Sequence, residues 1–399
     1  MSYFEKNAIV SGLGISRIGR RTGVPGAELT LEAARAAIDD AGLTADDIDG
    51  IATFGDTPLT KVADTLGIQP IDVSFGFDTG GVLTPVMSAF RAVAERRARH
   101  VLIYRTVLML GGSMTDAPAT SSPNPLASPP VEPHIPGTRR KLKPFEDIDE
   151  LLAAHAYSAA NWLAMHCRRH MELYGTTKEQ LGWLAINSRR NAGLNPRAAY
   201  REPMTMADYL ASRPVSTPFG LFDCDAPCDG ATAVIVSRRE RAKDMRRTPI
   251  RVEAVGTRIA GRPSWDQFDD LSGMPNRDAG QQLWSRTDLK PSDVQMAQLY
   301  DGFSWLTMSW LEALGLCGLG ESGPFIEGGT RIARDGQLPL NTHGGQLSAG
   351  RLHGYGFLHE GATQMWGRAG DRQIPTPPEV GVIGAGGGNT CGCLLLVRE

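Results

Sequence analysis

The side chains best suited to proton chemistry gather in one stretch, "NTHGGQLSAGRLHGYGFLHEG" from position 341 to 361, where His343, Arg351, His353, Tyr355 and His359 stand among glycines. Glycine lets backbone come close to a ligand, so three readings compete: a mobile surface loop, a phosphate cradle, or the floor of an active site. A second candidate, "QLYDGF", carries Tyr300 and Asp301 at the end of the apolar run "MAQLY". A tyrosine there ordinarily packs with its hydroxyl tethered. Arg351 invites a structural reading too, anchoring its loop through a carboxylate such as Asp301 or Glu360. His343 and His359 are expected to hydrogen-bond locally, and Asp229 to turn the chain. The run "GAGGGN" (384 to 389) resembles a nucleotide loop only superficially. A dinucleotide fingerprint follows an early strand and opens a helix, whereas this run leads into the C-terminal strand "CGCLLLVRE".

The cysteines are Cys167, Cys224, Cys228, Cys317, Cys391 and Cys393. Cys224 and Cys228 with Cys391 and Cys393 offer four thiolates on paper. The C-x-C spacing and the apolar strands beside both pairs favour buried, inert thiols, with no metal site. A net charge of -3 argues against nucleic-acid binding. The basic clusters at 96 to 100, 139 to 143 and 245 to 251 read as solvated faces. No apolar run reaches the ~20 residues that span a bilayer, and the chain is expected to be cytoplasmic.

These residues need a scaffold, and the patterning supplies an α/β one. The strand-like "NAIVSGLG" precedes a helix, "TLEAARAAIDDAGL", capped by Thr30 and ended by Gly42. Strand "IDGIATFGD", helix "TPVMSAFRAVAERRA" and the continuous apolar strand "HVLIYRTVLML" follow. Between 112 and 148 a Pro- and Ser-rich segment predicts irregular chain, and helices over "DELLAAHAYSAANWLAMHCRRHMELYG", "TKEQLGWLAINSRRNAGL" and "TMADYLA" complete an insertion reaching about 215. An internal repeat underlies the rest. "GLTADDIDGIATFGD" matches "DLKPSDVQMAQLYDG" at a constant offset of 246, pairing Ile48 with Val294 and Phe54 with Tyr300. The pattern implies one α/β unit used twice, over 1-245 and 246-399.

With "HCRRHMELYGTTKEQLGWLAINSRRNAGLNPRA", "DCDAPCDGATAVIVS", "QLYDGF", "NTHGGQLSAGR" and "GAGGGNTCGCLLLV" in this order, the chain resembles the thiolase superfamily, in its sterol carrier protein type branch. The resemblance covers essentially the whole chain. It implies the thiolase fold, two pseudo-symmetric βαβαβαββ halves in a five-layered αβαβα sandwich, normally a homodimer. Carried onto this chain, the thiolase nucleophile falls at Thr79, the site asparagine at Tyr300, the activating histidine at Arg351 and the second cysteine at Gly384. All four reactive side chains are absent. A hydroxyl at Thr79 would need an adjacent base, and that place holds Arg351, so Claisen chemistry is not expected.

What such a site retains is the capacity to hold a coenzyme A thioester and stabilise its enolate. Cleaving a β-hydroxyacyl thioester needs a base for the hydroxyl proton, donors at the thioester oxygen and an acid for the α-carbon. Tyr300 and Tyr355 are able to divide the acid and base roles, with His353 between Arg351 and Tyr355; a guanidinium such as Arg351 favours an ionised phenol. Backbone N–H groups of Gly386, Gly387 and Gly388, and those near Thr79 and Gly80, are candidates for the oxyanion hole, and Asp301 for substrate contact. This pattern resembles the lipid-transfer-protein steroid side-chain aldolases. That resemblance implies retro-aldol cleavage of a 17-hydroxy steroid side-chain CoA thioester to a 17-ketosteroid and propionyl-CoA, with no cofactor beyond the coenzyme A of the substrate. It also implies a partner, a small OB-fold protein with a zinc ribbon, free or fused to a MaoC-like hydratase. Two other readings stay open: a non-catalytic acyl-CoA or sterol binder, and a residual thiolase using Thr79 or a displaced cysteine such as Cys391.

Overall fold

The computed structural model describes residues 3–54, 57–69, 73–75, 82–110, 153–156, 158–259, 271–388 and 390–399. The first half runs β1 (Ala8–Ile15), α1 (Gly26–Ala41), β2 (Gly50–Thr53), α2 (Leu59–Leu66), β3 (Val73–Phe75), α3 (Thr84–Ala94), β4 (His100–Leu108) and, after the insertion helices Ala159–Tyr174, Lys178–Gly193 and Met206–Leu210, β7 (Asp229–Arg238), with the short β5 (Pro214–Ser216) and β6 (Phe219–Gly220) between. The second half runs β8 (Ile250–Ile259), the helix Asn276–Trp284, β9 (Met296–Leu299), the helices Ser304–Ala313, Ser322–Ile326 and Tyr355–Met365, then β10 (Val380–Gly386) and β11 (Thr390–Arg398).

The strand order is β3-β2-β4-β7-β1-β8-β11-β10-β9. The two halves join through β1 and β8, which pair only at Ile9 with Arg251 and Val10 with Ile250. Outward from that seam each half repeats the same order, β1-β7-β4-β2-β3 and β8-β11-β10-β9. The second half's third strand is reduced to one bridge, Leu340 with Ala297. The offset seen in the sequence is structural, since β2 at 50–53 corresponds to β9 at 296–299 and the helical turn Ala45–Asp47 to Pro291–Asp293.

Periodicity explains the layering. Leu29, Ala33, Ala34, Ala37 and Ile38 of α1 recur on one helical face and pack on Ile51, Leu102, Tyr104 and Ile235 of the first-half strands. On the opposite face Val86, Ala89, Phe90 and Val93 of α3 join the larger core shared with the second half. Gly42 ends α1 in the left-handed conformation at φ 75 as expected, but the helix starts earlier, at Gly26 behind Pro25. Thr30 is therefore inside it and donates its hydroxyl to the Gly26 carbonyl at 2.7 Å rather than capping. Ser158 and Thr177 do form capping boxes on the two long insertion helices. Among the described residues no helix is long and apolar enough to cross a membrane.

Candidate active site

Tyr300 leaves β9 where the parallel neighbour β10 ends, and its N–H donates to the Gly384 carbonyl at 3.0 Å. The next residue of β10, Ala385, abuts Gly354: a side chain on Gly354 would bring its Cβ within 2.7 Å of the Ala385 Cβ. Gly354, left-handed at φ 86, is followed by Tyr355, the first residue of the helix Tyr355–Met365. The two tyrosines are thus delivered by segments that touch the same end of β10. Both are buried, and the Tyr300 ring meets Phe357 edge-on at 6.3 Å between centroids.

The turn before Arg351 is locked to Tyr300 by Asp301. Its carboxylate accepts from the backbone N–H of Gln346 at 2.7 Å and of Leu347 at 3.4 Å. Gly345 is obligatory there: at φ 57, a Cβ would lie 1.9 Å from Asp301 Oδ2. Asp301, expected to meet substrate, thus braces the loop from within, and burial pushes its carboxyl up to about 7.

Arg351 points at neither Asp301 nor Glu360. Its Nε lies 3.2 Å from Asp225 Oδ2 and 2.5 Å from His353 Nε2. Glu360 instead takes a two-pronged bond from Arg372 at 3.0 Å from both Nε and Nη2. His353 adopts a left-handed backbone, φ 49, which a non-glycine residue holds only when its surroundings enforce it. Its N–H donates to Gln346 Oε1 at 3.0 Å, and its Nδ1 lies 2.6 Å from Arg105 Nη2. Burial, then Arg351 and Arg105, hold His353 well below its usual range, so it is a neutral ring between two cations.

These charges set the state of Tyr300. Burial pushes its phenol up to about 12; Arg351 opposes that, Asp225 adds to it, and the Gln346 amide and Arg105 again favour the ionised form. Gln346 Nε2 is buried near the phenol without a well-aligned partner of its own. Burial works against the charge of Arg351 as well, but Asp225, Tyr300 and Cys228 outweigh it.

The glycine run is built for close approach. Gly386 and Gly387 have φ of 77 and 159, and a Cβ on them would meet Thr390 O and Leu306 Cδ2, each at 2.6 Å. Gly388 follows them, buried. Trp310 donates its indole N–H to the Gly386 carbonyl at 2.8 Å and lies against Gly384, where a Cβ would meet the ring at 2.8 Å. Thr79 and Gly80 lie outside the described residues.

The remaining candidates are structural. Asp229 accepts from the N–H groups of Met109, Leu110 and Thr22. His359 contacts Thr363 within its own helix, whereas His343 stands edge-on to Phe357 with its Nδ1 unpartnered, against the expectation of a local bond. Cys224, Cys228 and Cys391 are thiols that burial pushes up to about 12, a poor state for a nucleophile. Burial thus disfavours the displaced-cysteine route through Cys391.

Residue-by-residue reading missed three members of the constellation, Arg105, Asp225 and Gln346. Arg105 did leave a signal, as a lone charge in the otherwise apolar strand "HVLIYRTVLML".

The C-terminal region, residues 260–396, matches the family described as Thiolase C-terminal domain-like. Over 374 residues the chain is 33% identical to the 17-hydroxy-3-oxo-4-pregnene-20-carboxyl-CoA lyase of Mycobacterium tuberculosis, covering 90% of this chain and 92% of that one. It belongs to the thiolase-like steroid side-chain aldolases. A second member, the steroid side-chain-cleaving aldolase of Thermomonospora curvata, is 33% identical over 380 residues, 90% of each chain. Among solved structures the Ltp2-ChsH2(DUF35) aldolase superposes with a TM-score of 0.86 at 30% identity, covering 100% of this chain and 99% of that one. The aldolase family thus shares the whole two-half thiolase fold seen here.

Proposed function

We propose that the chain is a carbon–carbon lyase that cleaves the side chain of a 17-hydroxy steroid CoA thioester by a retro-aldol reaction. The relatives' activities support the reaction class and the steroid substrate. One observation carries the chemistry: where a thiolase holds asparagine and histidine, this site pairs a buried phenol, Tyr300, with a guanidinium, Arg351, whose charge favours the phenolate.

In the reaction, one tyrosine, ionised to its phenolate, takes the proton of the 17-hydroxyl and becomes a phenol. The oxygen forms the ketone as the bond to the thioester's α-carbon breaks, and the electron pair passes into the thioester enolate. The second phenol protonates the α-carbon, leaving a 17-ketosteroid and propionyl-CoA, with no acyl-enzyme on the path. Burial keeps Tyr300 protonated near neutral pH, which suits it to the donor step. Tyr355 opens an eleven-residue helix, at the end where negative charge is best tolerated, which suits it to the base step. N–H groups of the Gly386–Gly388 turn, with those near Thr79 and Gly80, serve the enolate oxygen. The enzyme works as a homodimer with a small OB-fold zinc-ribbon partner. Incubating the complex with the thioester and measuring ketone and acyl-CoA together tests the reading; tight binding of the thioester with neither product formed rejects it in favour of a carrier.

A further inference from the structure

Asp225 occupies none of the positions traced from the thiolase motifs, yet three segments of the site meet on it. Its own N–H donates to the Gly302 carbonyl at 3.1 Å, behind Tyr300. The N–H of its neighbour Ala226 donates to Gln346 O at 2.7 Å, and Arg351 N–H donates back to Ala226 O at 3.0 Å. At that junction the carboxylate Oδ2 lies 3.2 Å from Arg351 Nε. The other neighbour of that nitrogen is His353, whose ring also faces Arg105. A neutral imidazole has one acceptor nitrogen and cannot satisfy both guanidiniums. Among the described residues, Asp225 is the carboxylate that pairs with Arg351.

We propose that Asp225 is a positioning residue for the tyrosine chemistry, its carboxylate holding the Arg351 guanidinium against Tyr300. The inference rests on the tyrosine reading of the site. It has a property that separates it from a simple charge effect. Acting directly, the negative charge of Asp225 disfavours the phenolate; acting through Arg351, it holds in place the cation that favours the phenolate. The charge of Arg351 bears on Tyr300 more strongly than that of Asp225, so a guanidinium released by the loss of Asp225 leaves the phenol harder to ionise.

The groups whose charge or hydrogen bonding bears on Tyr300 are Arg351, Asp225, Arg105 and the amide of Gln346. Burial raises the carboxyl of Asp225 itself and the facing Arg351 opposes that; its charge in turn bears on Asp301, Cys224 and Cys228, each of which burial holds protonated further than usual.

The test places a trifluorotyrosine at position 300 of the full chain, which brings the phenol into an accessible pH range, and follows its ionisation by fluorine NMR. Asp225→Asn moves the midpoint up by about one pH unit or more, and Asp225→Glu restores most of it. Arg351→Gln produces the same upward movement, and the double variant moves no further than Arg351→Gln alone. A downward movement in Asp225→Asn, as a direct charge effect demands, overturns the proposal, as does no movement. If Asp225→Asn does not fold, Arg351→Gln carries the comparison with Asp225→Glu: an unmoved midpoint in Arg351→Gln overturns the proposal. The readout needs no turnover, so it stands or falls separately from the lyase assay.

Discussion

Arg351 Nε lies 2.5 Å from His353 Nε2, on the opposite edge of a ring whose Nδ1 is 2.6 Å from Arg105 Nη2. Two fixed cations make protonation of that ring costly, so His353 acts as a neutral spacer that sets the distance between the guanidiniums. His353 should therefore contribute no limb near pH 6.5 to the pH dependence of kcat. His353→Asn should lower kcat about tenfold or more by releasing Arg351 without deleting any ionisation between pH 5 and 8. A wild-type limb near pH 6.5 that vanishes in the variant would contradict this.

Tyr300→Phe and Tyr355→Phe should each reduce kcat by about a hundredfold or more, the usual worth of a positioned acid or base. Both rings are buried and keep their volume in the variants, so melting temperatures should stay within a few degrees. Product quantification beside thermal unfolding separates the two effects. Wild-type turnover in either variant removes that phenol from the mechanism.

By the resemblance to thiolases Gly384 stands where the second cysteine would be, and the space such a thiol needs is taken. A Cβ there would lie 2.8 Å from the ring of Trp310, which is itself tethered to the Gly386 carbonyl. Gly384→Cys should thus restore no acyl transfer and should destabilise the fold by about 1–3 kcal/mol through overpacking. Chemical denaturation measures the loss. A stable variant that accumulates an acyl-enzyme, detected by intact mass, would show that the site had kept room for a thiol.

The buried brace at Asp301 makes a pH prediction. Burial raises its carboxyl to about 7, against the pull of the Gln346 and Leu347 N–H groups. An acid whose pKa is raised on folding binds its proton more tightly in the native state. Its contribution is therefore present at low pH and is lost as pH rises from about 4 to about 7, by up to about 4 kcal/mol. His343 and His359, held down at about 4 by burial, act in the opposite sense, since their protonation below about 6.5 favours the unfolded chain. Comparing variants isolates the aspartate: between pH 5 and 8, Asp301→Asn should lose less stability than wild type by a few kcal/mol. Equal slopes in urea unfolding would show that Asp301 is ionised throughout.

The sequence exposed what is periodic or repeated. The constant offset that pairs Phe54 with Tyr300 also relates β2 to β9, whereas it was the resemblance to thiolases that marked Tyr300 and Arg351 as standing at reactive positions. It could not expose contacts made by closing long loops. Arg105 reaches His353 across 248 positions, and Asp225 meets Arg351 only because the chain from Ala226 hydrogen-bonds to the loop at Gln346. Asp301 shows the converse: beside a reactive position it looked like a substrate contact, yet its oxygens are spent on backbone N–H groups 45 and 46 residues away. Hydrogen-bond capacity already used inside the fold leaves no trace in residue type.

The most direct test of the central claim is product analysis by mass spectrometry after mixing the full chain, alone and with an OB-fold zinc-ribbon partner, with a 17-hydroxy steroid CoA thioester. The account predicts a 17-ketosteroid and propionyl-CoA in equal amounts, lost together in Tyr300→Phe. Saturable binding of the thioester with no cleavage in either mixture, or an acyl group left covalently on the protein, would contradict it.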